Sequence, residues 1–574
     1  MRTTLSRPWI AAMAVCALSA IPMIACIDDL DDSDPAESGD DEQEGPPGDV
    51  PVDTTADFGA ESDDSAAAPA GCEPYFGTSG TRSAWVYVDR NGGLAYKKLN
   101  PEGDRIIDFS YAGYRGGGVT IPTVPVKETL SPGGGDDTAA IQAALDRVAH
   151  LPLSGGVRGA VLLRAGTFKV NGNLKIGASG VVLRGSGSGT GAGATKIVVG
   201  GGSHRFLSIS GGGSRSAPSS PATTLTDAYV PVGARSFKVA SASGFAVGDD
   251  VLVTRPVTQP WIELMGMDKL VRNGRPQTWI AAGSKHQWER RITGINGTTI
   301  TIDIPLTDSL DARYVKPPAG KLTRYSFGGR ISEVGVEHLR VVAPPRSAEV
   351  EMGLVNIDKA ADSWVRDVAA HNFTNGLGVG GSSTRITIED VHATHDMVSY
   401  FTSAAPADFS VNAQQVLLQR CSSDGGNKIF YFVTHSTRGP NVVLDFHGTG
   451  KRTHFEPHQR WATGLLADGV ALEGGIGFAN RGTAGSGHGW TIGWGVAWNC
   501  ESSTKVLRPP GAMNWAIGCI GNVSAEAGTP GMPGSPNLPR GIHDSQGQHV
   551  IPDSLYLAQL CQRLGPQAVA NIGW

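Results

Sequence analysis

Val336-Glu337-His338-Leu339, Val365-Arg366-Asp367-Val368, Ile388-Glu389-Asp390-Val391 and Leu418-Gln419-Arg420-Cys421 repeat one pattern, apolar-polar-polar-apolar. Their last residues are 29, 23 and 30 positions apart. A repeat of that period is one rung that cannot bury its inner face alone, whereas stacked rungs share a continuous core. The spacing therefore predicts one long solenoid, although a 574-residue chain would otherwise suggest several separate cores. Composition agrees. Glycine numbers 78, charged residues make up 18%, and Val, Ile and Thr are abundant, as in a β-rich chain with many tight turns. Glycine has no three-residue period, so a collagen is excluded. Less regular rungs are expected at Val442-Val443-Leu444, Leu465-Leu466-Ala467, Val496-Ala497-Trp498-Asn499-Cys500 and Trp515-Ala516-Ile517-Gly518-Cys519.

Upstream, Gly135-Asp136-Asp137-Thr138-Ala139-Ala140-Ile141-Gln142-Ala143-Ala144-Leu145 reads as a helix start. Asp137 or Thr138 is placed to cap it, and Ile141, Ala144, Leu145 and Val148 form its apolar face. Strand segments follow at 159–168, 174–176, 181–185 and 196–199. The GDDTAAIQAAL helix, the LRAGTF strand (163–168) and the LRGSG strand (183–187) resemble the N-terminal part of the pectate-lyase-like superfamily, over about residues 105–200. That resemblance implies an all-β, right-handed parallel β-helix with an N-terminal capping helix. It does not choose among that group's lyases, hydrolases, epimerases and tailspikes.

Residues 226–316 interrupt the rungs and read as a small β insertion. Ile292 to Ile302 form a hairpin around Asn296-Gly297. A loop at roughly 255–290 carries Trp261, Trp279 and Trp288, which suit either a sugar subsite or packing. The expected organisation is a signal segment 1–26, an acidic tether 27–74, cap and first rungs 75–225, the insertion, main rungs 317–524, and a tail and cap 525–574.

Arg2 and Arg7 precede an apolar run from Trp9 to Ala25, the pattern of a secretory signal. Its end, Met23-Ile24-Ala25-Cys26, resembles a bacterial lipobox, with Met23 where Leu is usual. Lipidation at Cys26 would anchor an exported protein to a membrane, as an outer-surface lipoprotein. Cleavage near Ala20 would instead secrete it. Residues 28–71 hold no Lys or Arg and almost no large apolar side chain, so they read as a disordered tether. Five cysteines remain beyond the signal, and Cys500 with Cys519 is the expected pair.

The chemistry-bearing residues cluster late. Ten of fourteen histidines lie at or beyond His371, and five of twelve tryptophans lie between Trp461 and Trp515. Rung spacing brings residues 20–30 apart onto one face. His454, His458, Arg460, Trp461, Asn480, Arg481, His488, Trp490, Trp494, Asn499 and Asn514 are thus candidates for one groove. Tryptophan faces would stack on sugar rings, and Arg would clamp a carboxylate. A uronan lyase would use Arg460 or Arg481 as clamp and His458 or His488 as base. His454, Trp461, Asn480, Trp490, Trp494, Asn499 and Asn514 would bind substrate. A glycoside hydrolase needs two carboxyl groups, for which Asp396, Asp424, Asp468 and Glu473 are available. His371, His395, Asp396 and Asp424 should line one edge of the coil as a second acid/base or cation set. Gly487-His488-Gly489 resembles the polygalacturonase Gly-His-Gly element, but that family's Asn-Thr-Asp, Asp-Asp and Arg-Ile-Lys elements are missing. The aspartate set of calcium-dependent pectate lyases is not recognisable, so no cofactor is implied and calcium is only compatible.

The net charge of −6 hides a division. From Arg82 onward 46 Lys and Arg stand against 37 Asp and Glu, a net of +9. The acidic balance belongs to the tether, and the basic body favours an anionic polysaccharide partner. Nucleic acid is not an expected partner. Polysaccharide cleavage by β-elimination is the leading expectation. Hydrolysis and a non-catalytic glycan-binding surface protein are the alternatives.

Overall fold

The computed structural model describes residues 67–574 except 78, 219, 318, 346–349, 397–406, 426–429 and 452. The expected signal, Cys26 and nearly all of the acidic segment lie outside the described residues. The body is a right-handed parallel β-helix whose strands form one 24-stranded sheet.

The repeated quartets set its geometry. Val161, Leu183, Val336, Val365, Ile388, Leu418, Val443, Ala467, Ala497 and Ala516 are successive register partners. All ten lie in the main buried core. A buried Val or Leu in such a column contributes roughly 1.5–3 kcal/mol. The third residue of each quartet bends the chain between two strand rows. His338, Asp367, Asp390 and Arg420 all have left-handed φ, between 50° and 58°. Asp445, Gly469, Asn499 and Gly518 continue that column with φ of 51°, 63°, 49° and 67°. Asp, Asn and Gly adopt this region at least cost, which explains their recurrence at this corner. At Gly518 the neighbouring rung also forbids a side chain, because a Cβ there would lie 2.0 Å from Asn499 Oδ1.

The helix Thr138–Ala149 packs Ile141, Ala144, Leu145 and Val148 into the main core. The expected Asp137 or Thr138 cap is not made. Asp136 accepts from the Thr138 backbone instead, while Asp137 accepts from Gly133 and Lys169.

The chain leaves the coil after His204–Ser210 and returns at Ile331–Ser332. In between, six antiparallel strands form a sheet ordered Ala222–Thr224, Lys321–Arg324, Asp250–Pro256, Lys285–Asn296, Thr299–Ile302, Ser236–Lys238. A two-residue ladder, Arg215–Ser216 with Phe327–Ser326, narrows the neck. It widens the excursion beyond 226–316, since two-residue strands leave no alternation to read.

The C-terminal segment lies along the flank rather than over an end of the coil. Its helix Leu555–Leu564 is capped by Ser554 and packs with Phe76, Val86 and Leu94 on outward residues Leu417, Leu444, Leu466 and Val496. Cys561 is bonded to Cys72, 489 residues away. Cys500 and Cys519 are free, buried thiols in the coil, which corrects the expected pairing. Replacing Cys72 and Cys561 by Ser should lower stability by about 2–5 kcal/mol. Chemical unfolding should show it, with faster proteolysis of the 67–100 segment.

Candidate functional site

The strand His454–Gln459 alternates about the coil wall. Phe455 points into the main core, stacked on Phe432 at 4.7 Å between centroids. His454, Glu456 and His458 therefore face outward. One rung earlier the strand Phe430–His435 ends on His435, whose register partner is Gln459. The loop 481–490 then lays His488 over His458.

This layering forms a column of imidazoles. His435 and His458 lie 5.0 Å apart between centroids, and His458 and His488 lie 4.6 Å apart. Phe430 closes one side, edge-on to His458 at 5.2 Å. Arg481 Nη1 donates to His458 Nδ1 at 2.8 Å and lies 3.4 Å from Glu456 Oε1. Arginine has no acceptor, so His458 Nδ1 is unprotonated and its neutral ring carries the proton on Nε2. Gln459 Nε2 lies 3.1 Å from His435 Nδ1, and Arg460 donates to Ser486 Oγ at 2.5 Å. His488 Nδ1 is buried without a partner among the described residues.

The electrostatics follow from burial beside two guanidinium groups. Burial, then the charge of Arg481, brings His488 down to about 3. Burial, then Arg481 and Arg460, brings His435 down to about 4. The same causes hold His458 well below its ordinary value. All three imidazoles are neutral at neutral pH. Arg481 and His454 keep solvent exposure at the margin of the column, whereas His458 and His488 are each 5% exposed.

Four predicted residues, His458, His488, Arg460 and Arg481, are thus brought together, with His454 at their margin. Sequence reasoning missed His435, Glu456 and Gln459. His435 had a signal, because it precedes His458 by 23 residues, one rung. It also missed Arg272 and Gln277, which reach from the insertion to the Gly485 carbonyl at 3.1 and 2.8 Å. The two glycines of the Gly-His-Gly element serve packing. Gly489 has φ of 55°, and a Cβ there would sit 2.4 Å from the Trp279 ring.

The other expected substrate contacts are corrected. Trp461, Trp490 and Trp494 are at most 2% exposed, so they offer no free face to a sugar. They pack with Trp261 and Trp279, whose rings stack at 5.0 Å, and Trp461 and Trp494 both donate to Asp308. Trp288 sits inside the insertion's own core. Asn499 and Asn514 hold backbone. Asn499 bonds Val550 and Pro552, while Asn514 bonds Gly495, Ile492 and Leu507. Asn480 is 2% exposed and accepts from the Gly482 backbone.

The edge set is separate. His371, Thr394 and Asp424 are register partners, with His395 and Asp396 just beyond that line. Asp396 accepts from Asn372 at 2.8 Å and lies 3.4 Å from His371, while buried His395 pairs with Asp408 at 2.7 Å. Glu473 accepts from the Gly450 backbone on the same side. Asp468 is unavailable as a hydrolytic carboxyl, because it is fully buried under the C-terminal helix, bonded to Ser554 and Tyr556. Among the described residues no group of three His, Cys, Asp or Glu is placed to hold a metal ion.

No protein-family model matches the chain, and no curated protein does. Solved structures do show similarity. The tailspike protein gp49 of Pseudomonas phage LKA1 is 13% identical with a TM-score of 0.36, over 68% of this chain and 70% of that one. The A-module of the Azotobacter vinelandii mannuronan C-5 epimerase AlgE4 is 12% identical with a TM-score of 0.30, over 68% and 72%. The E. coli bacteriophage HK620 tailspike, solved with a pentasaccharide, is 11% identical with a TM-score of 0.36, over 68% of this chain and 54% of that one.

Proposed function

We propose that this β-helix protein cleaves a uronic-acid-containing polysaccharide by β-elimination at the His435–His458–His488 column. One observation carries the reading: neutral imidazoles lie packed against two guanidinium groups, with Glu456 as the nearby carboxylate. Elimination needs positive charge on the substrate carboxylate and a neutral base at C5. Arg481 and Arg460 supply the first and His488 the second. The base takes the C5 proton, the C4–oxygen bond breaks with formation of a C4=C5 double bond, and the leaving oxygen is protonated. His458, with its proton on Nε2, is the donor for that last step. A bound carboxylate also offsets the guanidinium charge that helps depress the imidazoles, so substrate raises the basicity of its own base.

The reading includes export, with lipidation at Cys26 and the acidic segment as spacer to a surface-displayed body. Cys26→Ala should then move the protein from the membrane fraction to the soluble one.

A panel of uronate polysaccharides tests the chemistry. Ultraviolet absorbance of an unsaturated uronate rising with new reducing ends is the expected result. Reducing ends without absorbance would mean hydrolysis. Binding with neither product would make the protein a glycan-binding module.

A further inference from the structure

We propose that the insertion's small hairpin, Val271–Arg272 with Arg275–Pro276, is a carboxylate-reading arm that binds the uronates beside the one being cleaved. The inference rests on the elimination reading above and deepens it. The substrate class becomes a polymer of consecutive uronates, not one in which uronates alternate with neutral sugars.

The hairpin concentrates positive charge. Residues 266–285 carry Lys269, Arg272, Arg275 and Lys285 against the single carboxylate of Asp268. Asn273 and Gly274, with φ of 52° and 73°, make the tight turn, and Arg272 and Arg275 are register partners on its two sides. Side chains directly opposite share one face with Cβ atoms about 4.5–5.5 Å apart, where like charges repel. Two-residue strands gain nothing from such a pair, so it calls for an anion. Arg275 is exposed and has no ion-pair partner among the described residues.

The arm is fixed over the column. At its base Leu270 and Trp279 are each 1% exposed and pack in the flank core, and the Gln277 N–H donates to the Leu270 carbonyl. Arg272 Nη1 and Gln277 Nε2 both donate to the Gly485 carbonyl. Arg460 donates to Oγ of the next residue, Ser486, which is exposed. Consecutive Cα atoms are about 3.8 Å apart, so Arg272 and Arg460 reach adjoining residues of one exposed loop tip. After burial, the charges of Arg481, Arg460 and, more weakly, Arg272 lower His488. Glu456, beside Arg481, is the one carboxylate in the column.

The chemistry follows from that order. Arg481 and Arg460 hold the carboxylate of the sugar that loses its C5 proton. Arg272, one loop residue further along, takes the carboxylate of the adjoining sugar, and Arg275 the one beyond. A planar fork suits each carboxylate. In an alternating polymer a neutral sugar would stand at Arg272 and leave that cation without a counter-charge.

Calorimetric titration of the whole protein with the trimers of galacturonate, mannuronate and guluronate, and with a hyaluronan tetrasaccharide, tests the proposal. At least one trimer should bind saturably and at least tenfold more tightly than the alternating tetrasaccharide. Arg275→Ala should cut that affinity at least fivefold with the melting temperature unchanged, and Arg272→Gln should do so too. No saturable trimer binding, no preference for a trimer, or a preference that survives both substitutions would each overturn the arm. Unsaturated product from the matching polymer judges the elimination separately. Arginine-dependent trimer binding without that product would sink the elimination and keep the arm, whereas product without the preference would do the reverse.

Discussion

Acidification from about pH 7 to about pH 4 should destabilise the folded body by several kcal/mol, as the buried imidazoles are forced to charge. Their folded values lie below the unfolded value of 6.5, with His488 at about 3 and His435 at about 4. The unfolded chain thus binds more protons in this window. The stabilisation is present above pH 6.5 and is lost as pH falls toward those folded values. At pH 4 the loss is about 3 kcal/mol for each of these two residues. His458 and His286, also buried and depressed, add in the same direction. Asp468 opposes them. Burial raises it to about 7, so its contribution weakens as pH climbs from the ordinary carboxylate value. Asp468→Asn keeps an acceptor for Ser554 and Tyr556 and should steepen the acid dependence. Chemical unfolding across pH 4 to 7 measures both slopes. A flat profile in the parent protein would mean that the column is solvated.

His488→Ala and Arg481→Ala should each cut turnover by about 10²–10⁴-fold, the usual scale for a positioned base or charge stabiliser. In the proposed elimination Arg481 has two parts, holding the substrate carboxylate and fixing the His458 tautomer. Arg481→Lys should rescue little, because a point charge does not reproduce a planar fork. The parent acid limb should lack an inflection near 6.5, since no imidazole in the column keeps its ordinary value. Kinetics on a uronan, with melting temperature followed in parallel, separate catalysis from folding. Loss confined to Asp396→Asn or Asp424→Asn would instead move the chemistry to the strand-end edge.

Fold and site were unequally legible in the sequence. The quartets could be read because one position faces the interior in every rung and the residue before the last apolar one must turn left-handed. Both demands restrict residue type, so they leave a pattern. The imidazole–guanidinium column was legible through rung spacing, which fixes neighbours across the coil. Tryptophan was not. An outward Trp is a platform if the wall is bare and core if another segment covers it, and Trp461, Trp490 and Trp494 are covered by residues of the insertion and the tail. The Asn499 and Asn514 amides resemble ligand contacts in sequence, yet they satisfy backbone at the coil corners. The Cys72–Cys561 bond follows from two terminal segments meeting on one flank, which no local pattern encodes. Cys500 and Cys519 looked paired only because they occupy the same inward place in neighbouring rungs.

That bond also makes the folded body a covalent ring. A single nick anywhere between residues 73 and 560, in the insertion or in a loop leaving the coil, opens the ring without splitting the molecule. A protein displayed among extracellular proteases would keep its mass and its assembled coil after one cut and would fall into fragments only after a second cut or reduction. Nicked material should therefore run as one species on a non-reducing gel and as two on a reducing one.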